Sequence, residues 1–345
     1  MMRNLEVKPV NRNEFLQILK AGTLSGIVLF EGEEEHFKQT ALQSIRQAVL
    51  PEGFEDLNET VMEGGETDAI IAAVETIPFM ADKRLIVLRD HPALLGRSEA
   101  DDRFLDYLAH VPDSAILLFY CTGKPDGRKK LYTAIKKYGK IVTFDRLKNQ
   151  ELTSWVTASF HELGKECDAR TADFLIFTCG TDSNLLNGEI AKIASYRPED
   201  PNVSADDIRA LATPSTECTV FSMVDAVVAG QSVRAMTLMQ NLLHSGEDRL
   251  YLLAMLLRQF KMLQHVKIMQ YEKQSRDYIV KHLGVPPFAA EQYIRQASAY
   301  TGGQVKQAVR WCLDMEYAVK SGRINQEGSL ETVMLRLLTM KSTED

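Results

Sequence analysis

A glycine and a lysine follow the first apolar run of the chain at the spacing of a phosphate-binding loop. The segment 32–39, GEEEHFKQ, keeps Gly32 and Lys38 of the pattern G-x-x-x-x-G-K-[ST] and loses its other two positions. Phe37 stands where a second glycine lets backbone amides close around phosphates, and Gln39 stands where a hydroxyl would bind Mg2+. Three successive carboxylates at 33–35 add negative charge where a polyphosphate would lie. The sequence therefore predicts a degenerate loop with no nucleotide-binding function.

A second segment is altered in the same sense. The apolar run 85–88 ends in Arg89 and Asp90, where a working nucleotide hydrolase of this type carries Asp-Glu for the metal ion and the attacking water. Arg89 cannot ligate a cation. Taken alone, Gly32 and Lys38 would also fit an ordinary turn from a strand into a helix, with an exposed lysine in the first helical turn. Two altered motifs in the correct order at successive strand ends favour the degenerate nucleotide site.

No other residue pattern points to catalysis or to a metal. The seven histidines have no H-E-x-x-H or comparable spacing, and the pattern G-x-S-x-G does not occur. The five cysteines are scattered and odd in number, without a C-x-x-C pair, which argues against a disulfide framework and a structural zinc site. We expect no catalytic residue, no metal and no cofactor.

Composition favours protein partners. The formal net charge of −7 argues against a protein that binds a phosphate backbone unaided, although a local basic patch remains compatible with it. No apolar run approaches the roughly 18 residues that a membrane span needs, and residues 1–8 lack the apolar core of a signal peptide. We therefore expect a cytoplasmic protein with no membrane contact.

Two kinds of secondary structure follow one another along the chain. Up to residue 145, short apolar runs alternate with helical patterns, which predicts a parallel-sheet α/β domain. The predicted strands lie at 26–30, 57–62, 84–88, 115–119 and 140–144, with helices at 40–46 and 69–74 between the first three. After Asp145 only helical periodicity continues, so the predicted fold class is α/β plus all-α.

The helical part divides at two breaks in the pattern. Three helices at 150–163, 169–179 and 183–195 predict a small bundle, and Ser204 is a suitable cap for a short helix that ends at 211. Longer helices are predicted at 221–229, 232–244, 249–272, 277–283, 289–299, 303–321 and 330–340. The sequence thus predicts three domains, at 1–145, 146–212 and 213–345.

A family resemblance is spread over nearly the whole chain. It is carried by LFEGEE at 29–34, IPFMADKRLIVL at 77–88, KPDGRKKLY at 124–132, LNGEIAKI at 186–193, FSMVDA at 221–226, LLRQFK at 256–261, LGVPPF at 283–288 and DMEYAVKSG at 314–322. In this order the segments resemble the clamp-loader branch of the AAA+ proteins, and most closely the delta-subunit family of bacterial DNA polymerase III. No single segment is specific, but together they are.

The resemblance implies a degenerate AAA+-like α/β domain, a helical lid domain, and a helical collar through which five subunits form an open hetero-pentameric ring. In such loaders this subunit binds and opens the sliding clamp, the beta subunit, for loading onto primed DNA, while sister subunits hydrolyse ATP. Catalysis would belong to the polymerase holoenzyme, a DNA-directed DNA polymerase and nucleotidyltransferase, by complex membership alone. DNA binding would come mainly through the assembled complex. Asn184 stands where an active sister offers an arginine to the nucleotide.

The resemblance also places the clamp-binding residues at Pro78, Phe79 and Met80. From sequence alone, an apolar pair before a buried strand would more often belong to the core. Between Pro78 and the polar run 82–84, however, the pair can sit at an exposed tip and form a small apolar plug of the kind found at interface hot spots. We expect Phe79 and Met80 to be exposed.

Three other interpretations stay open. The basic stretch 128–140 on a predicted helix is either a solvated face or a weak contact with DNA or a sister subunit. The chain could also be a divergent AAA+ nucleotide hydrolase that uses an unrecognised loop. A nucleic-acid-binding adaptor is the third possibility, and the acidic composition disfavours it.

Overall fold

The computed structural model describes residues 12–342. The prediction that residues 1–8 form no signal peptide lies outside this range. The chain divides into two compact units, one ending at Leu147 and the other beginning at Lys148, and each is described by itself.

The first unit is built on a five-stranded parallel sheet with the order β2-β3-β4-β1-β5. Its elements in chain order are α1 (Arg12–Lys20), β1 (Gly26–Glu31), α2 (Glu35–Val49), α3 (Glu55–Asn58), β2 (Glu59–Glu63), α4 (Thr67–Glu75), β3 (Arg84–Arg89), α5 (Asp102–Tyr107), a 3-10 turn (Leu108–His110), β4 (Ala115–Tyr120), α6 (Lys130–Tyr138) and β5 (Lys140–Thr143). The predicted α/β class and its five strands are confirmed.

Burial explains why these strands read as continuous apolar runs. The interior strands β1, β3 and β4 are buried on both faces, as expected for a parallel sheet covered by helices on both sides. β2 lies at an edge of the sheet and is half-exposed. The predicted strand at 57–62 begins later than expected, because residues 57 and 58 complete the short helix α3.

Among the residues that the structure describes, the regular elements of the second unit are all helices, apart from one isolated bridge between Glu166 and Asn202. Its helices are α7 (Gln150–Glu162), α8 (Ala169–Cys179), α9 (Ser183–Tyr196), α10 (Ala205–Leu211), α11 (Thr216–Val228), α12 (Ser232–His244), α13 (Arg249–Tyr271), α14 (Arg276–His282), α15 (Pro287–Ser298), α16 (Gly302–Lys320) and α17 (Ser329–Ser342). Many of these helices begin at an Asp, Ser or Thr whose side chain caps the first turn, and Ser204 with Asp207 forms a complete capping box at α10. The predicted all-helical second part is confirmed.

Helices from both predicted helical domains pack together inside this unit. The ring of Phe174 on α8 lies 5.3 Å from that of Phe288 on α15, and the ring of Phe177 lies 5.1 Å from that of Phe221 on α11. Burying these rings joins α8 to the later helices. The division into a lid and a collar therefore remains a proposal about function.

The described residues show no group of three or more histidines, cysteines or acids that could hold a metal ion. All five cysteines are free and buried. Within the described range, every helix is too short or too polar to cross a lipid bilayer.

Candidate functional site

The degenerate loop connects β1 to α2 and closes tightly against the end of β5. Phe144 donates its backbone N–H to the carbonyl of Glu31 at 2.8 Å and accepts from the N–H of Glu34 at 3.0 Å. Gly32 lies between these contacts with φ +110°, and a Cβ at this position would come within 2.2 Å of the Phe144 oxygen. Only glycine fits there. The packing of the loop therefore explains the presence of Gly32 without any role in phosphate binding.

Lys38 is fully buried, which contradicts the alternative of an ordinary turn with an exposed first-turn lysine. Its ammonium lies 2.9 Å from the carbonyl oxygen of Gly32, 2.6 Å from that of Cys121 and 3.3 Å from that of Thr122. It also forms an ion pair with Glu35 at 3.0 Å. An ammonium has three N–H donors, and these partners occupy all of them. Lys38 thus ties the end of β1 to the end of β4, which sequence spacing could not reveal.

Glu35 balances the buried charge of Lys38. Burial alone would favour its protonated form, but hydrogen bonds from Tyr120 and Lys38 outweigh that effect and lower the pKa of Glu35 below its ordinary value. The Tyr120 hydroxyl donates to Glu35 at 2.5 Å, and burial together with this acceptor raises the pKa of Tyr120. The Lys38 ammonium lies 5.4 Å from the centre of the Tyr120 ring.

The other altered positions also have partners within the protein. Phe37 is buried in the core side of α2, and Gln39 is exposed and donates to Glu35 at 3.2 Å. The carboxylate of Asp90 accepts two hydrogen bonds from Thr122, one from its backbone N–H and one from its hydroxyl, both at 2.9 Å. The guanidinium of Arg89 lies 4.9 Å from the Tyr120 ring centre. These contacts consolidate the ends of the strands.

The apolar tip, residues 77–80, lies between α4 and β3. Phe79 is 49% exposed and Met80 is 74% exposed, as predicted, and Ile77 is exposed beside them. Pro78 is half-buried. Met80 has φ +51°, a left-handed conformation that costs a non-glycine residue about 1–3 kcal/mol and persists only where the surroundings enforce it.

Asn58, at the end of α3, fixes the backbone of the tip by hydrogen bonds to Phe79. Its side chain is fully buried. The Asn58 Oδ1 accepts from the backbone N–H of Phe79 at 2.7 Å, and its Nδ2 donates to the carbonyl of Phe79 at 2.8 Å and to that of Phe54 at 3.0 Å. The rings of Phe54 and Phe79 lie 5.7 Å apart. Asn58 was not identified from the sequence, which offers only the weak signal of one asparagine inside a predicted strand.

A cavity of about 790 Å³ lies next to the tip. Leu24, Leu50 and Met80 contribute apolar lining, and Lys83, also in its wall, donates to the backbone carbonyl of Leu24. Met80 is thus in contact with both solvent and the cavity.

The basic stretch 128–140 forms an amphipathic surface helix, α6, and the turn before it. Leu131 and Ile135 are buried, and Lys136 and Lys137 are exposed. Arg128, Lys129 and Lys130, just before and at the start of the helix, form ion pairs with Asp126, Glu99 and Asp102, respectively. The side-chain hydrogen bond from Arg128, with its backbone N–H, lowers the pKa of Asp126 to about 2. This arrangement suits a solvated face.

Asn184 lies in the first turn of α9, where its backbone N–H donates to the capping carboxylate of Asp182 at 2.9 Å. Its observed hydrogen bond is a helix-capping contact.

Two family models match the chain. The model described as "DNA polymerase III, delta subunit" matches residues 29–145, and the model described as "DNA polymerase III delta subunit, C-terminal domain" matches residues 217–337. The first lies within the sheet unit and the second within the helical unit. Together they span about two thirds of the sequence.

Curated relatives of the same description match this chain over most of the length of each relative. The chain is 23% identical over 336 residues to DNA polymerase III subunit delta of Bacillus subtilis, covering 95% of this chain and 97% of the relative. It is 22% identical over 263 residues to DNA polymerase III subunit delta of Escherichia coli, covering 75% and 76%. The similarity to the Bacillus protein therefore covers nearly the whole of both chains.

A solved structure shares the fold. The Bacillus subtilis DNA clamp loader delta protein superimposes with a TM-score of 0.56 at 22% identity, covering 95% of this chain and 99% of that protein. The predicted parallel-sheet α/β part followed by an all-helical part is confirmed as a fold.

Proposed function

The chain belongs to the DNA polymerase III delta subunit family, and on that premise we propose that it binds the sliding clamp and opens it for loading onto primed DNA. The observation that carries this proposal is the apolar tip. Phe79 and Met80 are large apolar side chains that the fold leaves exposed on a backbone held by a buried asparagine. Such preorganised aromatic and aliphatic side chains form the hot spots of protein interfaces.

Clamp opening follows from differential binding. A subunit that binds the open ring more tightly than the closed ring shifts the equilibrium toward the open form by that difference in affinity. In this proposal the free energy comes from burying the tip in an apolar pocket of the clamp, with no chemical step on this chain.

We further propose that the chain neither binds nor hydrolyses ATP, as expected of a clamp-opening subunit whose sisters carry the ATPase. The support is the contact set of Lys38, whose donors are spent on three carbonyl oxygens and one carboxylate. Glu33 to Glu35 add negative charge at the loop. A divergent hydrolase would need a lysine or arginine free to meet a phosphate at this loop.

The assembly proposed for the chain is a hetero-pentameric ring with other clamp-loader subunits in the cytoplasm. In it residues 1–145 bind the clamp, 146–212 form the lid and 213–345 form the collar that contacts sister subunits. DNA contacts come mainly from the assembled loader, since the net charge of −7 disfavours independent binding. The experiment that tests the proposed function is a titration of sliding clamp with the intact chain and with a Phe79→Ala/Met80→Ala variant.

A further inference from the structure

We propose that Asn58 is a positioning residue for clamp binding, and that Phe54 extends the contact surface formed by Phe79 and Met80. This inference rests on the proposed function, because it assigns roles within the same surface. It starts from the carboxamide of Asn58, which uses both of its N–H donors and its oxygen on backbone atoms of Phe54 and Phe79.

The tip has little other backbone support. Within the described chain, residues 77–83 make no backbone-to-backbone hydrogen bond. Asn58 supplies what a neighbouring strand would otherwise supply, a donor and an acceptor facing the N–H and the C=O of Phe79. Without it, the segment would lose its fixed conformation and would have to be ordered on binding. Affinity falls when that entropy cost is paid during association rather than during folding.

The same asparagine places a second aromatic ring. Its Nδ2 binds the carbonyl of Phe54, whose ring lies 5.7 Å from that of Phe79. The exposed large hydrophobic side chains of the sheet unit are concentrated here. Six of the seven in its described residues lie on the tip or on the segment 54–61: Phe54, Leu57, Val61, Ile77, Phe79 and Met80, with Tyr138 as the seventh. A concentration of this kind marks a contact surface.

The test is a set of four variants titrated against immobilised sliding clamp by surface plasmon resonance: Asn58→Ala, Phe54→Ala, Phe79→Ala and Asn58→Ala/Phe79→Ala. We expect Asn58→Ala to weaken affinity about tenfold, largely by slowing association, because the tip must then be ordered on binding. Phe79→Ala acts mainly on dissociation, since it removes contact area. Phe54→Ala weakens affinity roughly threefold, as expected for a residue beside a hot spot.

The double variant separates positioning from a general structural effect. If Asn58 acts by placing the ring of Phe79, its loss costs less than about twofold once that ring is absent. Asn58→Leu keeps the side-chain volume and removes the donors and the acceptor without placing a charge in the buried site, so it weakens binding as well. It serves in place of Asn58→Ala if that variant melts below the assay temperature, because it leaves no cavity.

Each outcome decides one of the two claims. An equal loss from Asn58→Ala in both backgrounds, or no loss in either while Phe79→Ala still weakens binding, overturns the role of Asn58 and leaves the proposed function standing. Unchanged affinity in Phe54→Ala removes Phe54 from the surface. Unchanged affinity in Phe79→Ala overturns the site itself and the positioning role with it.

Discussion

The ammonium of Lys38 lies 2.6 Å from the carbonyl oxygen of Cys121, at the end of β4. In a working phosphate loop the corresponding lysine would point at a phosphate. Here it joins two strand ends of the sheet and pairs with Glu35. A lysine at a position typical of nucleotide binding therefore stabilises the fold instead. Its removal should affect the stability of the protein.

Replacing Lys38 should destabilise the protein. Lys38→Met leaves three carbonyl oxygens without their donor and Glu35 without its counter-ion, so we expect the free energy of unfolding to fall by about 2–4 kcal/mol. Urea denaturation measures it. Lys136→Met, at an exposed position on α6, is the matched control and should change stability by less than about 0.5 kcal/mol. Equal stability of the two variants would contradict the structural role of Lys38.

The chain should not bind nucleotide, even when the loop is partly restored. Titration with a fluorescent ATP analogue and Mg2+ should show no saturable binding. The double variant Phe37→Gly/Gln39→Thr recovers the sequence pattern, yet Lys38 stays occupied by backbone carbonyls, so we expect no binding there either. Micromolar Mg2+-dependent affinity in the unaltered chain would contradict the account and favour the divergent hydrolase.

The contribution of Glu35 to stability should depend on pH. Its pKa lies below the ordinary 4.5, because hydrogen bonds from Tyr120 and Lys38 stabilise the carboxylate more than burial disfavours it. A lowered folded-state pKa gives stability that is present above the unfolded-state pKa and is lost as pH falls through the folded-state pKa. The stability difference between the protein and Glu35→Gln should therefore shrink below about pH 4.5. A difference that stays constant from pH 7 to pH 3 would be inconsistent with this.

The sheet unit should bind clamp on its own, and the helical unit should carry assembly. A fragment ending at Leu147 keeps the whole sheet and the tip. We expect it to stay folded, to bind the clamp and to elute apart from the sister subunits in size-exclusion chromatography. A cut near residue 213 is a poorer test, because it would strip α8 of the aromatic contacts to Phe221 and Phe288. Co-elution of the fragment with sister subunits would count against the collar.

Much of the fold was predictable because the burial of each strand or helix determines its pattern of apolar residues. The strands at 26–30, 84–88 and 115–119 are buried on both faces and therefore appear as continuous apolar runs. The short helices α3 and α5 were not predicted, since four to six residues carry little periodic signal.

The site was predictable only in part. Phe79 and Met80 are exposed as expected, but sequence gave no indication of how their backbone is held. Both Asn58 and Lys38 act through hydrogen bonds to residues 21 and 83 positions away, respectively. Such contacts depend on the tertiary arrangement, whereas local sequence patterns contain information only about residues that are close together in the sequence.

The clamp affinity of the Phe79→Ala/Met80→Ala variant tests the central claim most directly. Removing a hot spot worth about 2–4 kcal/mol should weaken clamp binding roughly a hundredfold and abolish unloading of clamp from circular DNA. Both side chains are exposed, so the free energy of unfolding should change by less than about 0.5 kcal/mol. Tyr138→Ala, an aromatic of similar exposure on α6, is the matched control and should bind clamp normally. Unchanged clamp affinity in the double variant, or a loss of binding that accompanies unfolding, would contradict the account.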